Sequence, residues 1–328
     1  MIFLSCFTTL QNKSMFTILC CFDRLIAGAA ITTAYTFSIP VAVSISPCRF
    51  DVTVTILSFL DGLGSISGPI IGSVFERMSH LAWSSFAGLG ISQILLLKVL
   101  QCLRCKMHGE NKTDANNVVD VKKISINWMP FLIISANFLL YNILIGICES
   151  SIAIVYEKFL GMDYSSNWIV FLPKDICFIM SCVLVSVLMK NGFRDFVYFL
   201  FTVLFQALVV LYGSANSINV KHLASYYMSV SALSGLVHAC YSPNLILLLT
   251  DSFNGDGENS SAYIKFFATN FGLLLRGIGR LLGGVVFGGL LLNYFTFFTI
   301  NWMLFCISGP AFIANLYMMI RHNYFKMI

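Results

Sequence analysis

Nine stretches of this chain are long and apolar enough to cross a lipid bilayer as helices, and that restricts its fold more than any other feature. A crossing helix needs about 20 apolar residues to cover roughly 30 Å of hydrocarbon. The stretches lie near 16–46, 52–75, 81–101, 128–156, 166–189, 196–216, 224–250, 263–292 and 294–320. Within hydrocarbon every backbone N–H and C=O must find a partner inside the protein, which leaves helices or a closed barrel. A barrel strand would alternate with period two, and these stretches do not. Composition agrees: 58% of residues are hydrophobic and 11% charged, against roughly 25% charged in a soluble chain. The expectation is an all-α polytopic membrane protein.

One long polar interval, Gln101 to Asn127, separates three spans from six. The expected organisation is an incomplete helical bundle at 1–101, a central loop at 102–127, a six-helix bundle at 128–320 and a tail at 321–328. Orientation follows from Lys and Arg in the loops. With the central loop inside, the inner side collects eleven: Arg49, Arg104, Lys106, Lys112, Lys122, Lys123, Lys190, Arg194, Lys265, Arg321 and Lys326. The outer side collects four: Lys13, Arg77, Lys158 and Lys221. The central loop and C-terminus are therefore expected in the cytoplasm of a plasma-membrane protein. The opening segment "MIFLSCFTTL" has neither a basic start nor a small-residue cleavage site, so it does not read as a signal peptide.

Most of the eleven cysteines fall inside spans, where Cys acts as a small apolar filler. Cys102, Cys105 and His108 approach metal-ligand spacing, but no second ligand pair follows and zinc is not expected. Palmitoylation beside the membrane is the more natural special fate for those thiols. Of the sequons at Asn12, Asn111 and Asn259, only Asn12 is on the expected outer side. No HExxH pair, nucleophile elbow or phosphate loop is present. The chain is not expected to be an enzyme, to hold a cofactor or metal, or to bind nucleic acid.

Glycines recur at a spacing of four in two spans: Gly64, Gly68 and Gly72 in the second, Gly279 and Gly283, then Gly284 and Gly288, in the eighth. Small residues at that spacing let helix backbones approach closely, which drives association where lipid offers no hydrophobic force. One such span in each half suggests an interface between two bundles.

These residues carry a family resemblance. Gly277, Ile278, Leu281, Leu282, Gly283 and Gly288 match a pattern of the eleventh helix in the monocarboxylate-transporter family of the major facilitator superfamily, with Gly284 and Val285 where that pattern has two prolines. Asp251 in "LILLLTDSFNG" resembles the Asp ending the family's tenth helix, the Gly62 to Gly72 region its fifth helix, and "IFLSCFTTLQNKSMFTIL" the junction of its third and fourth. The resemblance covers nearly the whole chain. It implies a major facilitator-like bundle in which the nine spans are helices four to twelve, the first two to three helices being absent, a lysine of the first helix with them. It also implies alternating-access transport of small monocarboxylates or related organic solutes, with possible proton symport and a single-span ancillary partner. A truncated, non-transporting protein that binds or regulates a full-length carrier is the other reading.

Ionisable residues inside a bilayer normally face a bundle interior or a wet cavity. Asp23 and Arg24 are adjacent, so they point about 100° apart on a helix. In the fifth span, Lys174 and Asp175 follow Pro173, which removes a backbone hydrogen bond and favours a kink. The resembling family places an Asp and, four residues on, an Arg in this helix; here Ile179 stands four beyond Asp175, so the pair is not preserved. Arg276 and Arg280 share one helical face. Counted from Phe266 at ~1.5 Å per residue, Arg276 lies about 15 Å deep and Arg280 about 6 Å further. A guanidinium at the bilayer centre costs at least about 2.5–3.5 kcal/mol. Two arrangements offset that cost: a bidentate site for an organic carboxylate, or an internal pair with Asp175 or loosened carbonyls. The expected pathway residues are Arg276, Arg280, Asp175 and Lys174.

Overall fold

The computed structural model describes residues 125–160, 168–215, 220–254, 258–290 and 296–321, together with Met15 and Leu63. The chain divides into two compact units, Met1–Phe37 with Ile70–Val121 and Ser38–Pro69 with Lys122–Ile328; apart from Met15, all the described residues belong to the second. Apart from Leu63, the first three expected spans lie outside the described residues, as do the central loop up to residue 124, Asp23, Arg24, Gly64, Gly68 and Gly72.

The described chain is nearly all helix: α1 Trp128–Leu160, α2 Trp168–Lys190, α3 Arg194–Ser214, α4 Val220–Asp251, α5 Glu258–Leu281 and α6 Phe297–Arg321. Apolar runs of this length make helix the natural conformation, because each backbone group is then satisfied within its own segment. Within α1, α2, α3 and α6, the segments Trp128–Cys148, Leu172–Met189, Arg194–Ser214 and Phe298–Ile320 are long and apolar enough to cross a membrane. The protein is membrane-embedded. On α2, Ile176, Met180, Val183, Leu184 and Val187 form an exposed apolar stripe at helical spacing, and on α5 Leu274, Ile278, Leu281 and Val285 do the same. Such faces suit hydrocarbon rather than water.

α5 does not end at Leu281 but continues as a π-helix, Leu282–Leu290, which the sequence pattern did not foretell. The wider turns begin where Gly283 and Gly284 lack side chains. A single wide turn is the usual form of this irregularity, so nine residues is a long run.

Successive helices alternate in direction, and their packing follows from it. α1 and α5 run parallel with a constant offset of 140: Phe131 stacks on Phe271 at 5.0 Å, Gly279 meets Leu139, and Gly283 meets Ile143. α2 and α4, the most extensively packed pair, also run parallel, with Gly235 against the backbone of Lys174 and Phe178. α3 and α6 run antiparallel. The Tyr198 hydroxyl donates to Asn315 Oδ1 at 2.6 Å, and Ser308 Oγ donates to Gln206 Oε1 at 3.1 Å.

At one end of the bundle a short antiparallel pairing ties the entry to α1 to the exit of α4. β1 (Ser125–Ile126) pairs with β2 (Phe253–Asn254), in the register Ser125 opposite Asn254, and Asn127 N donates to Ser252 O at 2.8 Å. At the same end Gly192, with φ 84°, turns α2 into α3. Phe193 N donates to Leu188 O and Gly192 N to Met189 O, the paired bonds that close a helix through a left-handed glycine.

Candidate functional site

The charged residues singled out from the sequence converge in part. The positive charges of Lys174 on α2 and of Arg276 and Arg280 on α5 all act on His238 of α4, and both arginines act on Tyr241 one turn further along. Tyr141 of α1 completes the group: its hydroxyl shares a 3.0 Å hydrogen bond with His238 Nδ1. Its neighbour Asn142 donates through Nδ2 to the Tyr241 hydroxyl and, at 2.8 Å, to Phe138 O. At ~1.5 Å per residue, Asn142 lies about 20 Å into α1 and His238 about 20 Å from the end of α4. The cluster is therefore set deep between the bundle ends.

Aromatic rings hold it in place. The Tyr141 and Tyr241 rings are 4.1 Å apart, His238 stacks on Tyr241 at 5.9 Å, and Phe178 closes on His238 at 4.8 Å. Phe201 and Phe205 of α3 contact Tyr141 edge-on at 5.6 and 5.7 Å. Tyr141 is fully buried, whereas His238 and the three cations are only partly so. Phenol and imidazole edges are positive and can donate hydrogen bonds, so they reinforce the cations. The chemistry assembled here suits an anion with planar oxygens.

The glycines fix how close the arginines come to α1. A Cβ on Gly279 would lie 2.5 Å from Asn142 Cβ, and one on Gly283 would meet the Ile143 carbonyl and sit 3.0 Å from the Gly146 Cα. Gly146 in turn has the Arg280 carbonyl oxygen 2.8 Å from its own Cβ position. The sequence suggested that this seam joins two bundles; the structure packs it on α1, in the same unit, because Gly146 supplies the missing volume on the facing helix. Gly284 is looser, with Gly146 O at 3.9 Å, and Gly288 lies in the π-helical run.

Asp175 is buried, one residue beyond Lys174. His238, Tyr141, Asn142 and Tyr241 were not anticipated as a site. The signal was present in "VHACY", where an imidazole and a phenol stand three apart on a helix and so share a face.

A cavity of about 170 Å³ lies elsewhere, at the end closed by β1 and β2; among its lining residues are Asn127, Arg194, Asp195, Tyr198, Asp251 and Ser252. Arg194 pairs there with Asp251, joining the start of α3 to the end of α4. Among the described residues, no group of His, Cys, Asp and Glu could hold a metal ion. No family model and no curated protein matches the chain.

Proposed function

We propose that this membrane-embedded chain is a secondary transporter of small organic anions, monocarboxylates or related solutes, working by alternating access. The observation that carries this reading is the convergence of Lys174, Arg276 and Arg280 on the ring cluster of His238, Tyr141 and Tyr241, far from either bundle end. Cations at that depth are expensive, and a bound carboxylate is one arrangement that offsets the cost. Arginine forks match carboxylate oxygens in pairs, and a site near the midplane is where secondary carriers bind their solutes. The resemblance of Gly277 to Gly288 to the monocarboxylate-transporter pattern supports the same reading, as does the positive bias of the loops for a cytoplasmic central loop and C-terminus in the plasma membrane.

The test is uptake by the purified chain in phosphatidylcholine vesicles, comparing labelled lactate, pyruvate and phenylacetate with their uncharged amides. Saturable uptake of an acid, and not of its amide, supports the proposal. Vesicles that take up none of the acids, with the protein folded, favour the alternative of a membrane protein that binds or regulates a carrier.

A further inference from the structure

We infer that Ser125, on the short strand β1, is a phosphorylation site for a serine/threonine kinase that selects basic residues ahead of its acceptor, and that the added phosphate loosens the pairing of β1 with β2. The inference goes beyond the transport reading. It rests on the cytoplasmic orientation of the central loop, where ATP-dependent kinases act, and on no transported solute. The local sequence is "VKKISIN": Lys122 and Lys123 stand three and two residues before Ser125, and the apolar Ile126 follows it. Of all the serines and threonines in the chain, Ser125 alone has Lys or Arg at both of those positions. An acidic substrate cleft reads such a pattern by charge, the two cations fixing which hydroxyl is presented to ATP.

The structure presents the acceptor. Ser125 is exposed, while Ile126 beside it is half-buried against the core. β1 and β2 form a two-stranded sheet of two residues each, extended by the 2.8 Å bond from Asn127 N to Ser252 O, and α1 begins at the next residue, Trp128. A kinase takes its substrate as an extended strand, so the segment through Asn127 must peel from β2. A pairing this short is marginal, and its local opening costs little. In the reaction Ser125 Oγ bonds to the γ-phosphorus of ATP as the bond from that phosphorus to ADP breaks, and the hydroxyl proton passes to the base of the kinase. Phosphoserine carries about −1.5 to −2 charges at pH 7. Asn127, two residues or roughly 7 Å along the strand, lines the cavity at this end. Among the charged residues lining that cavity, Arg194 is already engaged by Asp251, so Asp195 leaves a negative charge in excess. Like charge brought within a Debye length of about 8 Å opposes the return of β1 to β2.

The experiment treats the purified full chain in detergent with ATP and the catalytic subunit of cAMP-dependent protein kinase, and maps the acceptor by mass spectrometry. A synthetic peptide of residues 118–129 is treated in parallel. The expected result is phosphate on Ser125 in both, lost in Ser125→Ala and slowed roughly tenfold when Lys122→Gln and Lys123→Gln are combined. If Ser125→Ala does not fold, the acceptor mapped on the unmodified chain decides. Phosphate on the peptide but not on the folded chain overturns the inference, because β2 then shields the serine; phosphate on neither overturns the recognition. Deuterium exchange reads the pairing: the Asn127 amide should exchange roughly threefold faster after phosphorylation, and an unchanged or slower rate overturns the loosening. In cells, phosphate on Ser125 when the kinase is activated supports the site. Its absence there, with the purified chain phosphorylated, overturns the inference through the orientation and leaves the transport reading standing.

Discussion

Gly283 and Gly146 lie backbone to backbone where α5 crosses α1: a Cβ on Gly283 would sit 3.0 Å from the Gly146 Cα and closer still to the Ile143 carbonyl oxygen. Backbone cannot move aside as a flexible side chain can. Gly283→Ala should therefore lower the unfolding temperature in detergent, with a destabilisation of about 1–3 kcal/mol, the usual cost of overpacking. Gly277→Ala is the internal control. No atom lies within 4 Å of its Cβ position, and alanine favours helix over glycine by ~1 kcal/mol, so this variant should be neutral or slightly more stable. Equal melting temperatures for the two variants would contradict the seam.

Tyr198 and Asn315 link α3 to α6 through a buried 2.6 Å hydrogen bond. Interhelical bonds of this kind in membrane proteins couple by about 0.6 kcal/mol on average and ~1.7 at most. A double-mutant cycle of Tyr198→Phe and Asn315→Leu should give a coupling in that range, read from thermal or denaturant unfolding. Strict additivity of the two single changes would show that the bond adds nothing to the packing.

Arg194 and Asp251 form a partly exposed pair at the end closed by β1 and β2, with side chains 34% and 49% accessible. Exposed pairs are worth about 0–1 kcal/mol and weaken with salt. Arg194→Gln should cost less than about 1 kcal/mol at low ionic strength and nothing measurable in 1 M salt. A loss that persists undiminished in high salt would mean that Arg194 acts through packing of its stem and not through charge.

The helical segments of the described bundle were legible because membrane helices announce themselves in one dimension: α1, α2, α3 and α6 contain the apolar runs that length and charge alone pick out. Arg276 and Arg280 stood out for the same reason, as charges where none are cheap. What surrounds them did not. Tyr141 and His238 are 97 positions apart, and their meeting depends on α1 and α4 packing side by side, a tertiary fact that periodicity does not encode. His238 resembles any buried polar residue until its neighbours are known. The sequence also drew attention to Asp175 as the natural partner of the arginines, since opposite charges attract. Asp175 is buried in the structure, and what the sequence did not hint at is that Lys174, one residue earlier and about 100° around the helix, joins the two arginines in acting on His238. The π-helical continuation of α5 was illegible because Gly283 and Gly284 are compatible with several backbone forms, and only the close approach of α1 selects one.

The account stands most directly on Arg276 and Arg280 as carboxylate-binding groups, and one measurement tests that. Arg276→Lys and Arg280→Lys keep the positive charge but replace the planar fork with a point charge. Uptake of labelled pyruvate into phosphatidylcholine vesicles should show KM raised roughly tenfold or more in at least one of the two variants, at an unfolding temperature close to that of the unmodified chain. Unchanged uptake of every transported acid in both variants, or loss of the folded protein in both, would contradict the account and make the arginines structural.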